Sequence, residues 1–276
     1  VSRGDVAISR PARLALRAYF VVFLLVLYLP TALLVLFSFN DSNTLSFPIV
    51  GLTTHWYHDA INNPDIVDSV RNSFQIAVVV GIVATIIGLL ASYALARSNI
   101  RMKGAVSALL LVPLVVPTIA LAIALLILVK KADLPLLHPG LFALGIGHVV
   151  LALPYTVLLI LPRISNIDRR LEEAAHDLGA SGAQTFRRII LPLIVPSLMA
   201  AFLIAFITSI DEVVLASFLL GDQQTYPAYL FAGLRHPDTA ATLIPVASAM
   251  ILLSFLTAFG AEVLRRRGER RLGVIA

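Results

Sequence analysis

Apolar residues gather in six long runs, separated by shorter polar stretches. The runs extend from Leu16 to Phe37, about Phe74 to Ala96, Ala105 to Val129, Leu141 to Leu161, about Ile189 to Leu215, and Ala241 to Leu264. At a rise of about 1.5 Å per residue, some 20 helical residues cross a hydrocarbon core of about 30 Å. Each run therefore predicts a transmembrane helix. Alternation in stretches of about ten residues, the mark of membrane β-strands, is absent. The longest polar stretches are Asn40 to Ser73, Ser165 to Arg188 and Ser217 to Thr239. None is large enough for a soluble domain, so residues 1–276 read as one membrane domain, all-α in class. No internal repeat is evident, which argues against a carrier built from inverted halves.

Composition agrees with this. Of 276 residues, 59% are hydrophobic and 13% charged, against roughly 25% charged in soluble domains, and mean hydropathy is +0.92. Such a chain could not cover its own surface in water, which excludes a soluble enzyme and a disordered chain. With no cysteine, disulfides, thiolate nucleophiles and Cys-ligated metals are excluded too.

The net charge of +5 would suggest nucleic acid in a soluble protein. Its distribution points to membrane topology instead, and no nucleic-acid partner is expected. Arg3, Arg10, Arg13 and Arg17 precede the first run. Arg97, Arg101 and Lys103 join the second and third. Arg163, Arg169, Arg170, Arg187 and Arg188 join the fourth and fifth. Arg265, Arg266, Arg267, Arg270 and Arg271 follow the sixth. These segments fall on one side and hold 17 of the 21 basic residues, and Arg71, Lys130, Lys131 and Arg235 lie on the other. The positive-inside rule then predicts six helices with both termini in the cytoplasm. The first run is too long for a signal-peptide core, and no small-residue cleavage site follows it, so it reads as a retained anchor.

Prolines interrupt three runs: Pro113 and Pro117 in the third, Pro154 in the fourth, Pro192 and Pro196 in the fifth. Each removes a backbone donor and predicts a kink. The stretch SNIDRRLEEAAHDLGASGAQTFRRIILP, starting at Ser165, reads as two short helices. Asp168 can cap the first. Leu171, Ala174, Ala175 and Leu178 form an apolar stripe at spacings of three, four and seven. Gly179 is placed to stop that helix, because glycine reaches the left-handed region without a Cβ clash. Ala180 to Gly182 make the turn, and a second helix from Ala183 runs into the fifth span. A compact element of this kind either docks into a partner or lies along the headgroups.

Within it, Glu173, Ala174, Ala175, Gly179, Ile189, Leu191 and Pro192 compose EAA-x3-G-x9-I-x-LP. Seven fixed residues over twenty positions resemble the signature of inner-membrane permease subunits of binding-protein-dependent ABC importers. The likeness covers nearly the whole chain. It includes F-P-x3-G-L-T-x3-W-Y from Phe47 to Tyr57, Asn72, Ser73 and Phe74 at the entry to the second span, and S-x-D-E-V-V-x2-S-F from Ser209 to Phe218. These added segments are similar to the second permease of spermidine/putrescine systems. Close relatives of those systems import other cationic, opine or phosphonate solutes.

The resemblance implies a type I importer fold in the bacterial inner membrane. It also implies a second permease subunit, two copies of a cytoplasmic ATPase and an extracytoplasmic solute-binding protein. ATP and Mg would be used by the ATPase, with no cofactor in this chain. Accordingly the sequence contains no G-x4-GK-[ST] phosphate loop. The first short helix would be the coupling helix, with Glu173 meeting polar or basic groups of the ATPase. Gly145 and Gly147 read as close helix packing.

Other polar residues leave choices open. The six histidines lack metal-ligand spacing. His148 within the fourth span could line a path or bond a neighbouring helix. Asp211 and Glu212, near the end of the fifth run, are costly in a membrane. Adjacent positions differ by about 100° on a helix, so one could face a translocation path while the other pairs or caps, or both could be interfacial. Asn40 and the acids Asp41, Asp59, Asp65, Asp68, Asp133, Asp222 and Asp238 bias the opposite face. That bias suits a cationic solute, a docking protein, or simply the positive-inside asymmetry. A stand-alone channel or carrier would not need the coupling segment. A membrane hydrolase would need an intramembrane Ser/His or paired-carboxylate set.

Overall fold

The computed structural model describes residues 9–43, 47–99, 101–132, 138–235 and 237–271. Among the described residues, twelve α-helical segments follow one another: α1 (Arg10–Phe37), α2 (His55–Asn62), α3 (Pro64–Arg97), α4 (Lys103–Leu111), α5 (Thr118–Ala132), α6 (Leu141–Ser165), α7 (Arg170–Asp177), α8 (Gly182–Thr185), α9 (Leu191–Ile210), α10 (Val214–Leu219), α11 (Tyr226–Gly233) and α12 (Pro237–Arg271). Among the described residues, five helices are long and apolar enough to cross a membrane, and a bent pair makes a sixth candidate. Helices occupy the predicted apolar runs, with two changes of shape.

The third run is two helices, Lys103–Leu114 and Thr118–Lys131, meeting at 99°. The reason lies in the proline spacing. Pro113 and Pro117 each lack the N–H owed four residues back, and Pro117 disfavours the helical region for Val116. The fifth run does not continue to Leu215. Its helix ends at Ile210, and residues 211–213 break it before the short α10. At its start, α8 continues through a π-turn, Phe186–Ile190, into α9. The N–H that Pro192 cannot supply would face the Arg188 carbonyl, inside that wider turn. Pro192 is thus absorbed without a break, and α9 also runs on through Pro196.

At the centre, α3 packs on α6 and α9. Ala77, Gly81, Ala84, Gly88 and Ser92 form a buried stripe of small residues along α3. Small residues let membrane helices approach closely. A Cβ on Gly88 would overlap the Thr156 side chain, and one on Gly81 would stand 2.8 Å from the Phe202 ring. Thr156 uses the proximity: its hydroxyl donates to the Ala84 carbonyl at 3.1 Å. Gly147 meets Leu219 and Leu125, as close packing requires. Gly145 faces open space, so the packing role read for it does not apply.

One core cluster joins Ile76, Val80 and Ala84 to Leu144 and Ala152 of α6 and to Leu215 and Leu219 of α10. A second, at the opposite end, joins Ile160, Ile164 and Ile167 to Ile190 and Ile194. Helix α1 buries none of its residues in this chain.

Candidate functional site

The segment after α6 folds into a hairpin-like unit whose every bend has a local cause. Asp168 Oδ1 accepts the N–H of Arg170, the first residue of α7, at 3.0 Å, from one position before the N-cap residue Arg169. Glu172 and Glu173 fall in the first turn of α7, where the helix dipole favours negative charge. Helix α7 ends on a Schellman arrangement. The Ala180 N–H reaches the Ala175 carbonyl at 2.9 Å, the Gly179 N–H reaches the His176 carbonyl at 2.8 Å, and Gly179 has φ +82°. Helix α8 then opens on a capping box, with Ser181 Oγ accepting from the Gln184 N–H and Gln184 Oε1 accepting from the Ser181 N–H.

This unit presents an exposed face. Of the apolar stripe, only Ala175 is buried. Leu178 is 89% exposed and Leu171 47%, with Glu173, Ala174 and Gly179 exposed beside them. At the other end of the signature, Ile189 and Leu191 are half-buried and Pro192 is exposed. The signature therefore divides. Glu173, Ala174 and Gly179 shape an outward surface with an apolar knob, and Ile189, Leu191 and Pro192 set the root of α9.

Sequence reading missed the residues that fasten this unit. Arg97, the last residue of α3, places Nε 2.6 Å from Glu172 Oε1, and both side chains are largely shielded, 10% and 17% exposed. Arg97 Nη2 also donates to the Ile167 carbonyl at 3.1 Å, and Arg169 Nη2 donates to the Ala96 carbonyl at 3.0 Å. The doubled glutamate at 172–173 was the available signal, since two neighbours on a short helix cannot both face one partner.

At the far end of the bundle, the two carboxylates of the fifth run separate. Glu212 has a side chain only 8% exposed. Its oxygens accept the Val214, Leu215 and Ala216 N–H groups at 3.0, 2.7 and 3.3 Å, capping α10. His148 Nε2 lies 3.6 Å away, and its Nδ1 shares a 2.7 Å hydrogen bond with Ser209 Oγ. His148 thus bonds a neighbouring helix. Asp211 is exposed, and the Ser254 hydroxyl of α12 lies 3.2 and 3.1 Å from its two oxygens. Nearby, Asp65, Asp68, Asn72, Asp222 and Gln224 line a cavity of about 480 Å³. Asn72 Nδ2 donates to the Gln224 carbonyl at 3.0 Å and Ser73 Oγ accepts the Tyr226 N–H at 2.8 Å, tying this rim to the start of α3. Phe74 packs edge-on against Phe206. The residues at the entry to the second span therefore build the rim of this end.

Known proteins resemble this chain in sequence and in overall fold. A family described as "Binding-protein-dependent transport system inner membrane component" matches residues 84–270. The spermidine/putrescine transport system permease protein PotC of Haemophilus influenzae is 34% identical over 245 residues, covering 88% of this chain and 93% of the relative. The putrescine transport system permease protein PotI of Escherichia coli is 30% identical over 238 residues, covering 83% and 84%. Among solved structures, a chain of a bacterial ABC transporter involved in import of the acidic polysaccharide alginate superposes with a TM-score of 0.66 at 18% identity, covering 97% of this chain and 98% of that one. A chain of the MetNI methionine ABC transporter gives 0.59 at 21% identity, covering 74% and 96%. The sequence signature, the helical architecture and these matches converge: the chain belongs to the inner-membrane components of binding-protein-dependent transport systems, the multi-pass permease subunits of ABC importers.

Proposed function

We propose that this permease carries a polyamine, putrescine or spermidine, into the cell. It would pair with a second permease and be driven by two copies of a cytoplasmic ATPase, where ATP and Mg are used. An extracytoplasmic binding protein would deliver the solute. The observation that carries the solute assignment is identity of 30% or more, across more than four-fifths of the chain, with permeases named for putrescine and spermidine. The acid-lined cavity bounded by Asp65, Asp68 and Asp222 supports it, since a polycation entering a narrowing site gains from fixed negative charge.

In this reading the exposed face of α7 meets the ATPase on the cytoplasmic side. Glu173 supplies charge, Leu178 fills a recess, Ala174 permits close approach, and Gly179 sets the turn. Of the two carboxylates, we assign the path role to Asp211. Glu212 has its oxygens committed to α10.

The test is uptake of labelled putrescine and spermidine by cells that lack their own polyamine importers and express the four-component system. Uptake is expected, and Glu173→Lys or Gly179→Pro should abolish it while the chain stays membrane-inserted, by reversing surface charge or breaking the turn. A fully assembled complex that takes up neither polyamine would overturn the solute assignment. Undiminished uptake in both variants would remove α7 from the coupling.

A further inference from the structure

Helix α7 is joined by covalent chain to α6, through residues 166–169, and to α8 and α9, through residues 178–181. Both connections are turns, which bend. Helix α3 ends about seventy residues earlier in sequence, yet its end meets α7 at Glu172 and the turn before α7 at Ile167 and Arg169. Arg97 Nε sits 2.6 Å from Glu172 Oε1, Arg97 Nη2 holds the Ile167 carbonyl, and Arg169 Nη2 reaches back to the Ala96 carbonyl. The two arginines cross in opposite directions, each donating to a carbonyl on the other side of the junction, and the Arg97–Glu172 contact is an ion pair. Beneath it, Tyr93 of α3 packs edge-on against Phe186 of the π-turn, with ring centroids 5.4 Å apart.

We propose that Arg97 and Glu172 are positioning residues that form a rigid joint, passing movement of α7 directly into α3, the helix at the centre of the bundle. This rests on the reading of α7 as the ATPase-docking helix. An exposed ion pair would be a poor joint, because water and salt screen it. This pair is largely shielded, and removing one partner strands the other. The two neighbouring glutamates therefore play different parts. Glu173 faces outward, where a partner can reach it, and Glu172 is turned inward against α3. Helix α3 is suited to receive the push. Its small-residue stripe lies in contact with α6 and α9, so it cannot move without shifting both.

The cysteine-free chain permits a direct test. Cysteines replacing Ser98 and Asp177, both exposed, carry spin labels at the end of α3 and the end of α7. The interspin distance is measured in the complete complex in nanodiscs, without nucleotide and with ATP trapped. With Arg97 present, the distance should be the same in both states, because α7 and α3 move as one body. In Arg97→Gln or Glu172→Gln it should shift and broaden when ATP binds, with ATPase still bound in equal amount. Solute carried per ATP hydrolysed should fall about fivefold or more. The exchanged pair, Arg97→Glu with Glu172→Arg, should recover part of the constancy, which a merely folding-related role would not. If the ATPase is retained and the distance behaves alike with and without Arg97, the joint is wrong and the docking reading stands. If the ATPase does not bind the unaltered chain, the docking reading fails and the joint with it.

Discussion

At the scale of single residues, the neighbours Asp211 and Glu212 show how one position decides a role. Glu212 accepts three backbone N–H groups of α10 from an interior position. Asp211 lies exposed at the end of α9, with the Ser254 hydroxyl beside its carboxylate. Replacing a helix cap by alanine costs about 0.5–2 kcal/mol, and amides left unpaired away from water cost more. Glu212→Ala should therefore lower the melting temperature of the purified chain in detergent, with Glu212→Gln falling between, because the amide keeps one acceptor oxygen. Asp211→Asn should leave the melting temperature unchanged yet slow polyamine uptake. Equal stability loss in Asp211→Asn and Glu212→Ala would contradict this division. The sequence showed that two acids stood at a costly depth. It did not show that the helix ends between them, and that ending assigns the roles.

At the scale of elements, the contact between α3 and α6 depends on residues with almost no side chain. Gly88 is filled from outside by Thr156, and Gly145, on the other partner of the same pair of helices, faces nothing. Overpacking a close contact costs about 1–3 kcal/mol. Gly88→Leu should reduce folded yield and thermal stability by that order, whereas Gly145→Ala should be neutral. Comparable loss from both would mean that the helices are not this close. The proline pairs teach a related lesson. Pro113 and Pro117 part the third run by 99°, yet Pro192 and Pro196 leave α9 whole. Both pairs have the same spacing, so composition could not separate them. At Pro192 the difference lies in the π-turn before it, which accommodates the missing hydrogen bond.

At the scale of the whole molecule, the segment 165–188 and the acid-lined cavity lie at opposite ends of the bundle, because α3, α6 and α9 run between them. The 17 to 4 division of basic residues predicts that the first end faces the cytoplasm. Cysteines replacing Ser42 and Asp222 should react with a membrane-impermeant thiol reagent in intact cells, and one replacing Ser181 should react only after permeabilisation; the opposite pattern would invert the topology. The apolar runs, the two short helices after Ser165 and the stop at Gly179 were legible in the chain, because each is dictated locally. Apolar length meets bilayer thickness, and glycine reaches φ +82° without a Cβ clash, whereas the Ser181–Gln184 capping box emerged only with the structure. Tertiary structure alone decided the Arg97–Glu172 junction, the burial of Glu212 beside His148 and the assignment of Gly88 over Gly145. Each is a contact between residues far apart in sequence. Charge, size and hydropathy show that such a residue needs a partner, and only the packed helices determine which partner it meets.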